Sequence, residues 1–385
     1  VALVASDTSL AEPTLAPLPG GNAGKAARPL ASPSPTCAPS WSIKSSQDAQ
    51  SGAYGSSLQS VSALSPAEAW SAGYYIIEGQ SRRKSAPETR LGMEPEASSG
   101  NEPSINDIYR TLIERWDGTT WQIVPSPNAG QDDNQLLSID AIAANDAWAA
   151  GYFINDFGLA QTLIMRWNGQ SWTVVPSPNF GPLQDNKLYG VEAISANDVW
   201  AVGYHSTEEG TRETLTLHWD GTAWTVVPSP NRGTLDNFLY DLAVVSANDV
   251  WAVGTYNTGT IYGGSNARSL SLRWNGTAWE DITSPGIGSG VNALYSVDAS
   301  ASDNVWAVGI FSTVSGGYRG LAQRWDGNSW TVFPTPNLGG DVYTTNLLGV
   351  SVLSSTDAWA VGGSRYGSPK PVILQWNGTA WSKVR

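Results

Sequence analysis

Ser195–Asn231 reads SANDVWAVGYHSTEEGTRETLTLHWDGTAWTVVPSPN, and near copies of it recur along most of the chain. A fixed period of about fifty residues marks a solenoid, a propeller or an array. Three tryptophans define each copy. The first follows a small or β-branched residue (Trp70, Trp148, Trp200, Trp251, Trp306, Trp359), and the second precedes Asp-Gly or Asn-Gly (Trp116, Trp167, Trp219, Trp274, Trp325, Trp376). The third lies five residues further on (Trp121, Trp172, Trp224, Trp279, Trp330, Trp381). Trp41 stands 29 residues before Trp70, and the other third-to-first spacings run from 27 to 29, so Trp41 is a third-type tryptophan without a first or second. These assignments use all 19 tryptophans, so a binding site built on one must borrow it from the scaffold.

Each copy reads as four short strands, A to D. In the third copy they lie around Leu188–Ile194, Val199–Tyr204, Thr214–Trp219 and Trp224–Val227. A tight turn joins A to B, a two-residue Asp-Gly or Asn-Gly hairpin joins C to D, and a longer loop leads to the next A. Repeated four-stranded antiparallel units are β-propeller blades. The expected fold is therefore all-β: six blades preferred, seven as the alternative, over residues 41–385, with six repeats from about 56 and an extra D-type strand at 41–47. The D strands run into prolines such as Pro176, Pro178, Pro228 and Pro230, which places D on the outer edge.

The motifs DVWAVG at Asp198–Gly203 and Asp249–Gly254, NVWAVG at Asn304–Gly309 and HWDGTAW at His218–Trp224 resemble the secreted bacterial repeat propellers with DVWAVG and HWDGTSW blades, loosely allied to kelch propellers. The resemblance covers about residues 41–385 and implies the fold. It is nearly silent on activity, because the shared residues are scaffold positions.

Composition narrows the function. A net charge of −13 speaks against a nucleic-acid partner, and no window of eighteen apolar residues spans a membrane. A single cysteine, Cys37, allows no intrachain disulfide, and two histidines make no histidine-rich metal cluster. Cys37 is read as a spare thiol or an interchain link. The chain opens on Val1 with no basic leader region, so the expectation is an exported, extracellular or cell-surface protein whose signal peptide has been removed. Residues 1–40, rich in Ala, Pro and Ser, cannot bury enough apolar surface to order alone. The expectation is an arm held by a neighbouring subunit, with Val1, Leu3, Val4, Trp41 and Ile43 as contact residues.

The candidate chemistry is mostly scaffold. The acid before each first tryptophan (Glu68, Asp146, Asp198, Asp249, Asp357) reads as a turn residue, and the base before each second (Arg115, Arg166, His218, Arg273, Arg324) as a partner for aromatic rings. Asp140, Glu192, Asp241 and Asp298 lie on inner strands as minority candidates for a cation. The Asp-Gly-Thr-x-Trp hairpins are similar to the structural Asp box of sialidase propellers, and the Asn275 and Asn377 sequons are explained by the turn. No nucleophile elbow, zinc-protease or phosphate-loop motif is present.

The D–A and B–C loops share one variable face, and blade 1 carries about 27 extra residues there, near 78–103, including Arg82, Arg83 and Lys84. Tyr152, Phe153, Tyr204 and Tyr256 are the candidate contact aromatics of that face. The first functional expectation is a non-enzymatic structural or adhesive subunit that self-assembles, as a homo-oligomer or filament, by adding its Trp41 strand to a neighbouring propeller. A lectin-like propeller binding surface glycans is the alternative, and a propeller hydrolase or lyase the second. No cofactor is called for.

Overall fold

A computed structural model describes residues 3–5, 41–43, 53–78, 107–259, 267–338, 344–366 and 368–384. It is a six-bladed β-propeller of four-stranded antiparallel blades. Blade 3 is typical, with A at Asn186–Ser195, B at Asp198–Ser206, C at Arg212–Trp219 and D at Trp224–Val226. The A strands begin at Ala53, Asn134, Asn186, Asn237, Asn292 and Thr344 and pack one against the next around the inside.

A blade cannot cover its own first tryptophan, so the next blade does it. Trp70, Trp148, Trp200, Trp251 and Trp306 are 0–1 % exposed. Each meets the second tryptophan of the following blade at 4.8–5.2 Å, tilted, and the third at 5.0–5.5 Å, edge-on. Tilted and edge-on contacts suit the ring quadrupole, negative at the face and positive at the edge.

The base of strand C lies over this stack. The guanidinium carbons of Arg115, Arg166 and Arg273 sit 4.9–5.2 Å above Trp70, Trp148 and Trp251. The acid before the first tryptophan binds that base: Asp146 takes Arg166 through both oxygens at 2.9 Å, and His218 Nε2 lies 2.8 Å from Asp198. Where blade 6 has Gln375 instead of a base, its amide donates to Asp357 at 3.2 Å. The acids are structural, as expected, but they hold the stacked base rather than the turn. The turn is held by serines, as where Asn197 N donates to Ser195 Oγ at 3.3 Å.

The glycine that closes each DVWAVG-type strand has a local cause. Opposite it, strand A carries an extra residue, and a Cβ on Gly203 would stand 1.8 Å from the Lys187 carbonyl oxygen. The C–D hairpins need left-handed backbone, supplied by Gly221 at φ 93° and its five counterparts. Asp117 Oδ1 accepts the Thr119 and Thr120 amides at 2.8 Å in the first hairpin. The Thr119 hydroxyl and these amides hold its carboxyl down at about 2.

Strand D is three residues long in five blades and four in blade 5, and in blades 1 to 5 the prolines that follow it cannot extend its ladder. The following Pro-Ser-Pro-Asn continues along strand C through side chains. Asn128, Asn179 and Asn231 accept the amides of Thr111, Thr162 and Thr214 at 2.8–3.0 Å, and the intervening serines meet the threonine hydroxyls at 2.8 Å. The outer edge is thereby satisfied without offering a free ladder.

Strand Leu3–Ala5 pairs antiparallel with Trp41–Ile43, Ala5 opposite Trp41. One edge of the Trp41 strand, expected to stay open for a neighbour, is thus taken within the same chain. Val1, Arg82, Arg83, Lys84, Cys37 and most of the 78–103 insert lie outside the described residues.

Two outcomes follow. Trp251→Ala should cost about 3–5 kcal/mol in denaturant unfolding, and a cost under about 1 kcal/mol would show that the stack is not the lock between blades. In an NMR titration the Asp117 carboxyl should titrate near 2. Because that pKa is depressed by folding, its contribution is complete above about pH 4 and fades as pH falls through the folded midpoint.

Candidate functional site

Three places could do more than hold the ring together: the inner strands, the variable face, and the junction between the last blade and the first.

On the inner strands, corresponding side chains of one blade reach the backbone of the next. Ser60 and Ser62 accept the amides of Ile139 and Ala141, and Ser138 and Asp140 those of Val191 and Ala193, at 2.9–3.3 Å. Glu192 accepts Val244 N at 3.1 Å and Asp241 accepts Val297 N at 3.0 Å. Ser296 and Asp298 accept Val350 N and Val352 N at 3.2 and 2.6 Å. Among the described residues no group of three His, Cys, Asp or Glu is placed to hold a metal ion. The four acids considered for a cation bind the next blade instead.

The variable face carries the aromatics singled out from the sequence, but mostly with their rings turned in. Tyr204 is fully buried and its hydroxyl is pushed far up by burial. It packs edge-on against Phe238 at 5.1 Å, with Arg212 5.8 Å away. Tyr152 is 9 % exposed beneath the Lys187 ammonium, 4.7 Å from its ring. Phe153 packs into the core between blades 1 and 2, and Tyr256 lies half-buried under Arg232 at 5.3 Å. Burial removes Tyr204 from any ligand's reach. Among the described residues the exposed rings are Phe157, at 65 %, which the sequence places on this face, and Phe180, at 47 %, which was not selected from the sequence. Phe180 stacks flat on His205, centroids 3.5 Å apart, and burial lowers the His205 pKa. The Asn155 amide donates to Pro182 O at 2.8 Å and ties the two loops bearing Phe157 and Phe180 together.

The third place is the sixth junction. Among the described residues, blades 6 and 1 are not packed on one another as the other five pairs are. Val61 of strand A in blade 1 is 55 % exposed, whereas its counterparts Ile139, Val191, Leu242 and Val297 are 3–4 % exposed. Val361 of strand B in blade 6 is 43 % exposed, whereas Ala72, Ala150, Val202, Val253 and Val308 are 0 % exposed. Trp359 is half-buried where its five counterparts are buried. The hydrogen-bonded belt weakens there too, since blade 6 presents Gly349 and an exposed Ser351 at the two belt positions. The result is an open seam with an apolar residue on each wall.

No family model and no curated protein matches the chain. Solved structures do. An ulvan lyase, a polysaccharide lyase, superposes with a TM-score of 0.50 at 10% identity, over 83% of this chain and 78% of that one. A protein of unknown function from Dyadobacter fermentans gives 0.49 at 12% identity, over 86% and 95%. The six-bladed fucose-binding lectin of Aleuria aurantia gives 0.41 at 14%, over 63% and 76%. At these identities the likeness is one of fold.

The inner belt is open to a direct check. Asp298→Ala should cost about 1–3 kcal/mol by stranding the Val352 amide, and Asp298→Asn, which keeps one acceptor, should cost less. A chelator should leave the melting temperature of the wild type unchanged, and a downward shift would return the inner acids to metal binding.

Proposed function

We propose that this protein is a non-enzymatic structural or adhesive propeller of the extracellular space, and that its copies associate through the seam between blades 6 and 1. The exposure of Val61 and Val361 carries the reading. Each occupies a position that is core in the other blades, so each wall keeps the residue type that a neighbouring blade covers elsewhere. The inner belt supports a cohesive role for the central acids, each of which accepts a backbone amide of the next blade. The excess of acids over bases, 34 against 21, keeps nucleic acid out of the partner list.

The exposed rings of Phe157 and Phe180 favour a second reading, a lectin-like propeller that stacks sugars on its variable face. Glycan-array binding abolished by Phe157→Ala, with assembly unchanged, would select it.

Assembly is read by light scattering across a concentration series. Val61→Asp and Val361→Asp replace side chains already half in water, so the folded monomer should tolerate them. The wild type should associate as concentration rises, and either variant should weaken that association at least about tenfold, equivalent to about 1.4 kcal/mol. A wild type that stays monomeric, or variants that associate as it does, would overturn the proposal.

A further inference from the structure

The chain carries one tryptophan whose sequence position predicts a structural partner. Five third-type tryptophans, Trp172, Trp224, Trp279, Trp330 and Trp381, begin a D strand and lie edge-on against the first-type tryptophan of the blade before their own, at 5.0–5.5 Å and 84–89°. Trp41 begins a strand of the same length, three residues, and that strand precedes blade 1. Nine residues separate Ile43 from Ala53, close to the ten from Ile123 to Asn134, Val226 to Asn237 and Asp281 to Asn292. A D strand on such a linker stands one blade position ahead of blade 1. In a ring, the first-type tryptophan beyond that position belongs to blade 6, and it is Trp359.

The backbone pairing agrees. In a blade the last residue of C faces the first residue of D, as in Trp167 opposite Trp172 and Trp219 opposite Trp224. Ala5 faces Trp41 in the same register, with Leu3 facing Ile43. Leu3–Ala5 therefore stands to Trp41–Ile43 as a C strand stands to a D strand.

We propose that the seam is a seventh blade position whose outer half is filled by the chain's own strand pair, Leu3–Ala5 and Trp41–Ile43. The register, the linker length and the spacing of the third-type tryptophans all place it there. Among the described residues no A or B strand fills the inner half of that position, in keeping with the exposure of Val61 on one wall and Val361 on the other. The inference shares the open seam with the assembly reading, but concerns the outer half and needs no second copy.

Hydrogen exchange of the full chain tests it. Trp41→Ala should lower amide protection in strand B of blade 6, Asp357–Tyr366, by about tenfold, with blades 2 to 4 unchanged. Trp41→Phe, which keeps a ring, should lose less, and it remains informative if the alanine variant folds poorly. Both measurements are repeated in the Val61→Asp background at concentrations where light scattering shows a monomer. Protection that still depends on Trp41 there supports seating within the chain. Dependence seen only in associated protein would mean that a second copy supplies the strand, and no dependence in either state would mean that Trp41 lies elsewhere; both overturn the proposal. Association itself is read separately by scattering, so the two proposals fail independently.

Discussion

The architecture depends on one contact, the first-type tryptophan of a blade against the tryptophan pair of the next. An indole on strand B buries more surface than its own sheet can cover, so each blade is incomplete until its successor packs on it. The other repeated residues serve that contact. The strand C base covers the exposed face of the indole, and the acid before the tryptophan holds the base in place. The strand B glycine lets the bulged inner strand approach without collision. Substitutions across blades respect the arrangement: Asn304 with Arg324, Asp198 with His218 and Asp357 with Gln375 each keep one acceptor and one donor.

The same dependence on a neighbouring blade extends to the centre of the ring. Propellers that act on ligands can gather side chains from several blades at the centre, but here the central acids and hydroxyls already have backbone partners in the neighbouring blade. Those bonds join blades that share no ladder, so removing an acceptor would strand a buried amide. The inner positions are committed to cohesion, and freedom to bind lies in the variable-face loops and the seam.

Much of this could be read from residue order, and the limits have physical causes. The tryptophan spacings, the Asp-Gly and Asn-Gly hairpins and the prolines after strand D act locally, so strands, turns and the six repeats follow from them, while six blades against seven stayed open. The acids of the inner strands could not be assigned, because a carboxylate that accepts a neighbour's amide has the same sequence signature as one that binds a cation. Tyr204 failed as a surface residue for a related reason. Strand B lies between two blades, both of its faces are buried, and an alternating pattern no longer separates inside from outside. Phe180 was passed over because loop exposure depends on tertiary contacts, here the Asn155–Pro182 bond and the stack on His205. Trp41 was recognised as out of place from spacing alone. That the junction beside it is open required the exposure of Val61 and Val361.

The character of the seam bears on whether it is an end or an interface. Linear repeat arrays finish in capping repeats with polar outer faces, since an uncovered repeat face would otherwise associate without control. The two walls here are not treated that way. Blade 1 retains valine at the position filled by Ile139, Val191, Leu242 and Val297 elsewhere, and blade 6 retains valine where the other blades carry alanine or valine. Neither wall bears a charge at these points, although the molecule as a whole is strongly acidic and could have placed one there without disturbing any packed neighbour. Walls that keep core residues while facing water have the character of an interface rather than of an end.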